Sequence, residues 1–321
     1  MIGIFCRRIL LTLITLFILS VISYIILARD PLNQPLFSPN VFVGYLYYAE
    51  MLLHGDLGIT YNGGESLISL ILTVLPPTLE LCFAAMILAL VIGIPLGFIG
   101  ALNRHQWCGK AINILSSFGL SLPIFWLAPI LLYFAAIHHW EISAVGQINL
   151  LYEIPAVTGF DIIDVWFVDQ PYRIKIIQSV LQHLVLPTLV LAISPTMEIT
   201  RLVKQRAEFI FTQNFSKVAI TRGWSAFRIL RKYGIRDTLP LLIPQTTNQF
   251  TLVLAQCMLI ESSFGWPGIG RWLIEAVAQQ DYNSISAGVV AIGVTIILIN
   301  LVNGLFSFLL DPLGRKGWYA R

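Results

Sequence analysis

The chain has 321 residues, 57% of them hydrophobic and only 12% charged, with a formal net charge of +3 and a mean hydropathy of +0.79. Soluble domains carry roughly 25% charged residues, so a chain this apolar belongs in a bilayer rather than in water. Its four cysteines, Cys6, Cys82, Cys108 and Cys257, lie in or beside apolar segments and form neither a disulfide framework nor a metal-ligand spacing.

Apolar runs of about 20 residues, the length that crosses a membrane, predict an all-α integral membrane protein with six spans. The runs cover residues 9–28, 79–102, 111–137, 184–199, 239–260 and 285–310. Arg7 and Arg8 precede the first, but its apolar stretch is too long for a signal core. No small-residue cleavage site follows it at Ala28-Arg29-Asp30, so it is read as an uncleaved anchor. Residues 30–77 mix turn formers with Phe42, Tyr45, Tyr47 and Tyr48 and predict a small structured cap. Within it, 66–74 is apolar but too short to cross and reads as an interfacial helix. The segment 144–178 is similar in character. The fourth run is the weakest, being short and interrupted by Pro187 and Pro195. No division falls between these elements, so 1–321 is read as one transmembrane domain.

Lysine and arginine set the orientation. Sixteen of the 20 fall before the first span, between the second and third, between the fourth and fifth, or after the sixth. The four others are Arg29, Arg173, Lys175 and Arg271. Both termini are therefore expected in the cytoplasm.

Catalytic chemistry is not visible. There is no G-x-x-x-x-G-K-[ST] phosphate loop, no H-E-x-x-H and no G-x-S-x-G, and the chain is not expected to be an enzyme. His138 and His139 are adjacent and would point apart on a helix, and His183 reads as a helix-boundary residue. Glu80 and Glu198 are the charged candidates within spans. Glu198 has Arg201 three residues on, a spacing that pairs them on one helix face. No relay of acids and histidines crosses the membrane, which weakens a proton-coupled secondary transporter.

The long basic loop, about 201–238, carries the strongest signal. Phe215, Val218, Ile220, Trp224, Phe227, Ile229, Leu230 and Tyr233 alternate there with basic residues. Ala219 and Gly223 are four apart and share a helix face. Gly223 can end one short helix and Ser225 can cap a second. Such a helix-turn-helix either docks another protein or rests on anionic lipid.

The chain resembles B-type permease subunits of the dipeptide/oligopeptide/nickel family of ATP-binding-cassette importers. The likeness is carried by Ala219, Gly223 and Leu239-Pro240 in the loop, with Ile220 and Thr221 replacing the usual Arg and Ala. It is also carried by Gly55-Asp56-Leu57-Gly58, by Gly93-Ile94-Pro95-Leu96-Gly97, and by Glu261, Phe264, Pro267-Gly268-Ile269-Gly270 and Asp281-Tyr282. Asp311-Pro312 with Arg315 resembles the family's C-terminal ending. The resemblance implies a type I importer permease in a bacterial inner membrane. It implies a second permease, two ATPase subunits and a periplasmic solute-binding protein as partners, with no nucleic acid. ATP and Mg²⁺ would sit on the ATPases, and this chain would bind no cofactor and no metal. The coupling helix would span 217–227, with Ala219 and Gly223 at the tight contact, Trp224 and Phe227 as apolar anchors, and Leu239 and Pro240 beyond. Glu261, Phe264, Pro267, Gly268, Gly270 and Asp281 would shape the outer gate. Peptides, cationic ones in particular, would be the cargo. Export of a small polyamine such as putrescine, or ATPase-independent secondary transport, are the alternatives.

Overall fold

The computed structural model describes residues 2–33, 40–61, 63–140, 145–149, 151–168 and 171–310, so Pro35 and Pro39 of the cap and the Asp311-Pro312 and Arg315 ending lie outside the described residues. Among these the architecture is helical throughout. In chain order the helices are α1 (Ile2–Leu27), α2 (Val41–Leu53), α3 (Leu67–Leu102), α4 (Trp107–Ser121) and α5 (Ile124–Ile137). After α6 (Asp161–Asp164) come α7 (Arg173–Thr212), α8 (Asn214–Thr221), α9 (Ala226–Ile229), α10 (Ile235–Phe264), α11 (Ile269–Ala278) and α12 (Tyr282–Leu310).

Four of these helices are long and apolar enough to cross a bilayer, and the count reaches six if two bent pairs are each one span. The pairs are α4–α5, bent by 99°, and the second half of α10 with α11, bent by 74°. The third run of the sequence is thus broken: Leu122 is extended and Pro123 stands as the N-cap of α5, so the backbone turns there instead of continuing.

Other boundaries move outward. The segment 66–74 is not a separate interfacial helix but the first turns of α3, which continues through Pro76, Pro77 and Pro95. The fourth span is not short: α7 has 40 residues and runs through both Pro187 and Pro195. His183 therefore lies ten residues inside a helix, buried, with Nδ1 2.7 Å from the Ser179 carbonyl oxygen, rather than at a boundary. Each proline deletes a single backbone bond, and a helix packed on its neighbours tolerates that loss. The fifth span likewise starts before Leu239, at Ile235.

The longest packed interface joins α3 to α7. Glycines on α3 make it possible. A Cβ on Gly93 would lie 3.0 Å from Ile199 Cγ2, and one on Gly97 would lie 2.6 Å from Val203 Cβ. Spaced four apart, they form the small-residue stripe by which membrane helices approach closely. The main core fills the space among α3, α5, α7 and α10, with Leu81, Val190, Leu191, Val253 and Cys257 fully enclosed. α1 packs on α12 at the edge of this bundle, held by the buried hydroxyl cluster of Ser23, Tyr48 and Ser286, with Ser23 Oγ 2.6 Å from each partner.

Candidate functional site

The basic loop is shorter than the charge pattern implied. α7 carries Arg201, Lys204 and Arg206 within its last turns, and the chain leaves it only at Gln213. Lys204 is buried rather than loop-borne. Its Nζ donates to the Gly109 carbonyl at 2.7 Å and to Asn113 Oδ1 at 2.5 Å, with Glu208 Oε1 3.8 Å away, and so ties α4 to α7. Glu198 pairs with Arg201 at 2.9 Å, as their spacing requires.

The turn between α8 and α9 has the predicted punctuation. Gly223 takes φ +80°, a left-handed conformation that favours glycine, and its N–H donates to Ile220 O at 2.9 Å. Ser225 Oγ then accepts from Arg228 N–H at 3.3 Å and caps α9. The segment 217–227 is thus two short helices about a turn, the helix-turn-helix that Gly223 and Ser225 predict. After α9 the chain does not end its helix but passes through a π-helical turn, Leu230–Gly234, straight into α10. Pro240 consequently sits within the first turns of α10, with Leu239 exposed beside it.

Burial separates the predicted residues of this loop. Ala219 faces inward, against a cluster that includes Ala207, Ile210, Phe211, Ile229 and Leu230. Trp224 stacks on Tyr233, and Lys232 Nζ lies 4.8 Å from the Trp224 ring centroid. Phe227 is 63% exposed, and Phe215, Val218 and Ile220 are exposed with it. Among the described residues, its two chain neighbours aside, nothing lies within 4 Å of a Cβ built on Gly223. The outcome is a small apolar surface ringed by basic side chains at the end of the bundle.

At the opposite end, Glu261 organises the α10–α11 hairpin. Fully buried, it accepts from Thr78 Oγ1 at 2.5 Å, Gly270 N–H at 2.8 Å, Arg271 N–H at 3.0 Å and Cys257 Sγ at 3.3 Å. Two of those donors are free N–H groups in the first turn of α11, where a carboxylate is well placed. Thr78 in turn accepts from Ile269 N–H at 2.8 Å, and Trp266 Nε1 donates to Pro77 O at 3.1 Å. A Cβ on Gly268 would fall 2.2 Å from the Glu261 carboxyl carbon, so only glycine fits there. Phe264 and Gly270 are buried in the same node, whereas Pro267 is exposed at its turn. Asp281 sits elsewhere: it caps α12 through Ser284 N–H at 3.0 Å and accepts from Tyr61 N–H at 3.2 Å, pinning the cap segment.

A third node forms around Glu80, a charged candidate from the sequence whose partners were not foreseen. Glu80 accepts from Gln147 Nε2 at 3.1 Å, Asp161 N–H at 3.2 Å and Ile162 N–H at 3.1 Å, clamping the loop before α7 onto α3. Asp164 folds that loop on itself, accepting from the N–H groups of Val157, Thr158 and Gly159 and from the Thr158 hydroxyl at 2.6 Å. Burial, and then the neighbouring Asp164 charge, push Asp161 up to about 6. Burial acts upward on Asp164 too, but those hydrogen bonds prevail and hold it below its ordinary value. The Thr158-Gly159 turn with an acid five residues beyond Gly159 was the available signal. Glu80 itself gave only its apolar surroundings.

Among the described residues no group of three or more His, Cys, Asp or Glu could hold a metal ion. The family of binding-protein-dependent transport system inner membrane components matches residues 93–316. The chain is 61% identical to the peptide transport system permease protein SapB of Haemophilus influenzae, covering 98% of each. It is 38% identical to the putrescine export system permease protein SapB of Escherichia coli, again over 98% of each. In fold it matches a chain of the inward-facing MetNI methionine ABC transporter at TM-score 0.54 and 16% identity, over 76% of this chain and 97% of that one. The match of the family model over most of the chain, with a relative 61% identical over nearly its full length, makes the chain a member of the binding-protein-dependent transport system inner membrane component family.

Proposed function

We propose that the protein is the membrane half of an ATP-driven peptide transporter. It pairs with a second permease to enclose a path, and separate ATPases dock on the α8–α9 turn. The observation that carries this reading is the exposed quartet Phe215, Val218, Ile220 and Phe227. Apolar side chains exposed at the end of a bundle, outside the candidate spans and beside basic residues, fit a protein groove. In this reading the basic end and both termini face the cytoplasm, following the bias of Lys and Arg. A periplasmic binding protein meets the clamped loops opposite, and the Glu261 hairpin gates that side. Peptides, including cationic ones, are the cargo, supported by the H. influenzae relative at 61% identity. The putrescine reading rests on the name of the E. coli relative at 38%.

The test is transport in vesicles reconstituted with both permeases and both ATPases, with the binding protein added. Cationic peptides presented on the binding-protein side are expected to stimulate ATP hydrolysis and accumulate inside. Putrescine-stimulated hydrolysis with movement the other way would support export instead. Transport by the permease pair without ATPases would contradict both.

A further inference from the structure

α10 carries an amide-rich face that the rest of the fold leaves unused. Gln245, Gln249 and Gln256 recur at spacings of four and seven and so share one side of the helix, with Asn248 beside them. Gln245 and Asn248 are exposed, and Gln249 is half-buried. None of the three hydrogen-bonds a described residue through its side chain. Gln256 Oε1 is buried with no partner. Two threonines of the same stretch differ: Thr246 and Thr251 donate to the Ile243 and Thr247 carbonyls at 2.8 and 3.1 Å. Gln245, Asn248 and Gln249 keep hydrogen-bonding capacity at the surface of this chain, and Gln256 keeps it at the base of the same face.

Lipid is a poor neighbour for such a face, because an unpaired amide in hydrocarbon costs several kcal/mol. Other outward faces are apolar: Ile9, Leu10, Leu13 and Phe17 are exposed on α1, and Leu298, Leu301, Val302 and Leu305 on α12. A tight helix–helix contact would use small residues, yet the exposed side of α10 carries long amides together with Leu252 and Leu259. Water and a polar solute remain.

We propose that the Gln245–Asn248–Gln249–Gln256 face lines the translocation path and hydrogen-bonds the peptide groups of the passing cargo. This rests on the peptide-transport reading above. An amide side chain both donates and accepts, as a peptide group does, and carries no charge to trap a cationic chain. At 1.5 Å per residue the face is about 16 Å long, which matches roughly five residues of extended peptide.

The test uses the assembled complex in vesicles, with Cys6 and Cys108 replaced by serine and the buried Cys82 and Cys257 retained. Single cysteines are placed at Asn248, at Gln249 and, as the lipid-facing control, at Leu13. A membrane-impermeant thiol reagent is expected to label positions 248 and 249 but not 13, and an excess of an oligopeptide cargo is expected to slow that labelling. Gln249→Leu and Gln256→Leu are expected to lose oligopeptide transport while remaining inserted, with Gln249→Asn retaining it. No labelling at 248 and 249, or their cross-linking to the second permease in place of labelling, would overturn the assignment. Unchanged peptide transport in both leucine variants would overturn the peptide-group role. Labelling needs neither ATP hydrolysis nor a particular cargo. It can therefore stand even if peptide transport driven by ATPases fails, and the two readings fall separately.

Discussion

A single carboxylate illustrates how this chain uses buried polarity. Glu261 has no water to turn to and is satisfied by four donors from α3, α10 and α11. Glu261→Gln replaces one acceptor oxygen by a donor NH₂ group, which must then face the Gly270 and Arg271 N–H groups or the Thr78 hydroxyl. The expected cost is about 1–3 kcal/mol of hairpin stability, read as faster cleavage at Arg271 by trypsin and reduced transport. Normal transport with unaltered protease resistance would show that the hairpin does not depend on this charge. Gly223 offers the complementary case. Its φ of +80° makes any side chain cost about 1 kcal/mol, yet no described residue beyond its chain neighbours comes within 4 Å of where a Cβ would stand. Gly223→Asp is therefore expected to fold and insert normally but to lose ATPase pull-down and transport. Unchanged pull-down and unchanged transport would remove Gly223 from the docking surface. Ala219, by contrast, is used inside the chain, so the two small residues that share a spacing in the sequence have different duties.

Among the elements, the loop that Glu80 clamps should respond to pH. Asp161 has a folded value of about 6, above its ordinary 3.8, so the docked loop holds a proton that the released loop gives up. Docking is therefore strongest below about pH 4 and weakens as pH rises through about 6. Chymotryptic cleavage at the exposed Trp166 and Phe167, taken as the ratio of parent to Asp161→Asn, is expected to be above one already at pH 5 and larger still at pH 7.5, because the loss begins above about pH 4 and is complete only above about 6. A ratio that stays flat would exclude Asp161 as the titrating group. The α3–α7 interface is rigid in a different way. Gly97→Ala places a methyl 2.6 Å from Val203 Cβ, and the overpacking is expected to cost about 1–3 kcal/mol, seen as a lowered Tm in detergent. An unchanged Tm would mean that the two helices can separate freely there. Apolar run length was enough to place a run on each of the four candidate spans and on both bent pairs. It could not find their ends, because α7 and α10 are extended by turns that carry charged residues, and α3 by an apolar segment that runs on through Pro76 and Pro77. The break at Leu122-Pro123 was hidden for a related reason: both of its halves are equally apolar, so hydropathy runs across it.

For the molecule as a whole, the legible part was what physics imposes on any membrane chain: apolar length, charge bias, and the glycine and serine that punctuate the basic turn. The nodes at Glu80 and Glu261 were less legible, since each joins residues far apart in sequence: Glu80 with Gln147 and Asp161, Glu261 with Thr78. The resulting molecule is held firmly at the end opposite the basic loop and presents free apolar surface beside that loop, the distribution expected of a body moved from one end by another protein. The most direct measurement is site-specific photo-cross-linking from position 227 in the assembled complex within membranes. The account predicts an adduct with an ATPase subunit whose yield changes when ATP is bound and which is lost in Gly223→Asp. An adduct with lipid alone, unchanged by ATP, would contradict it.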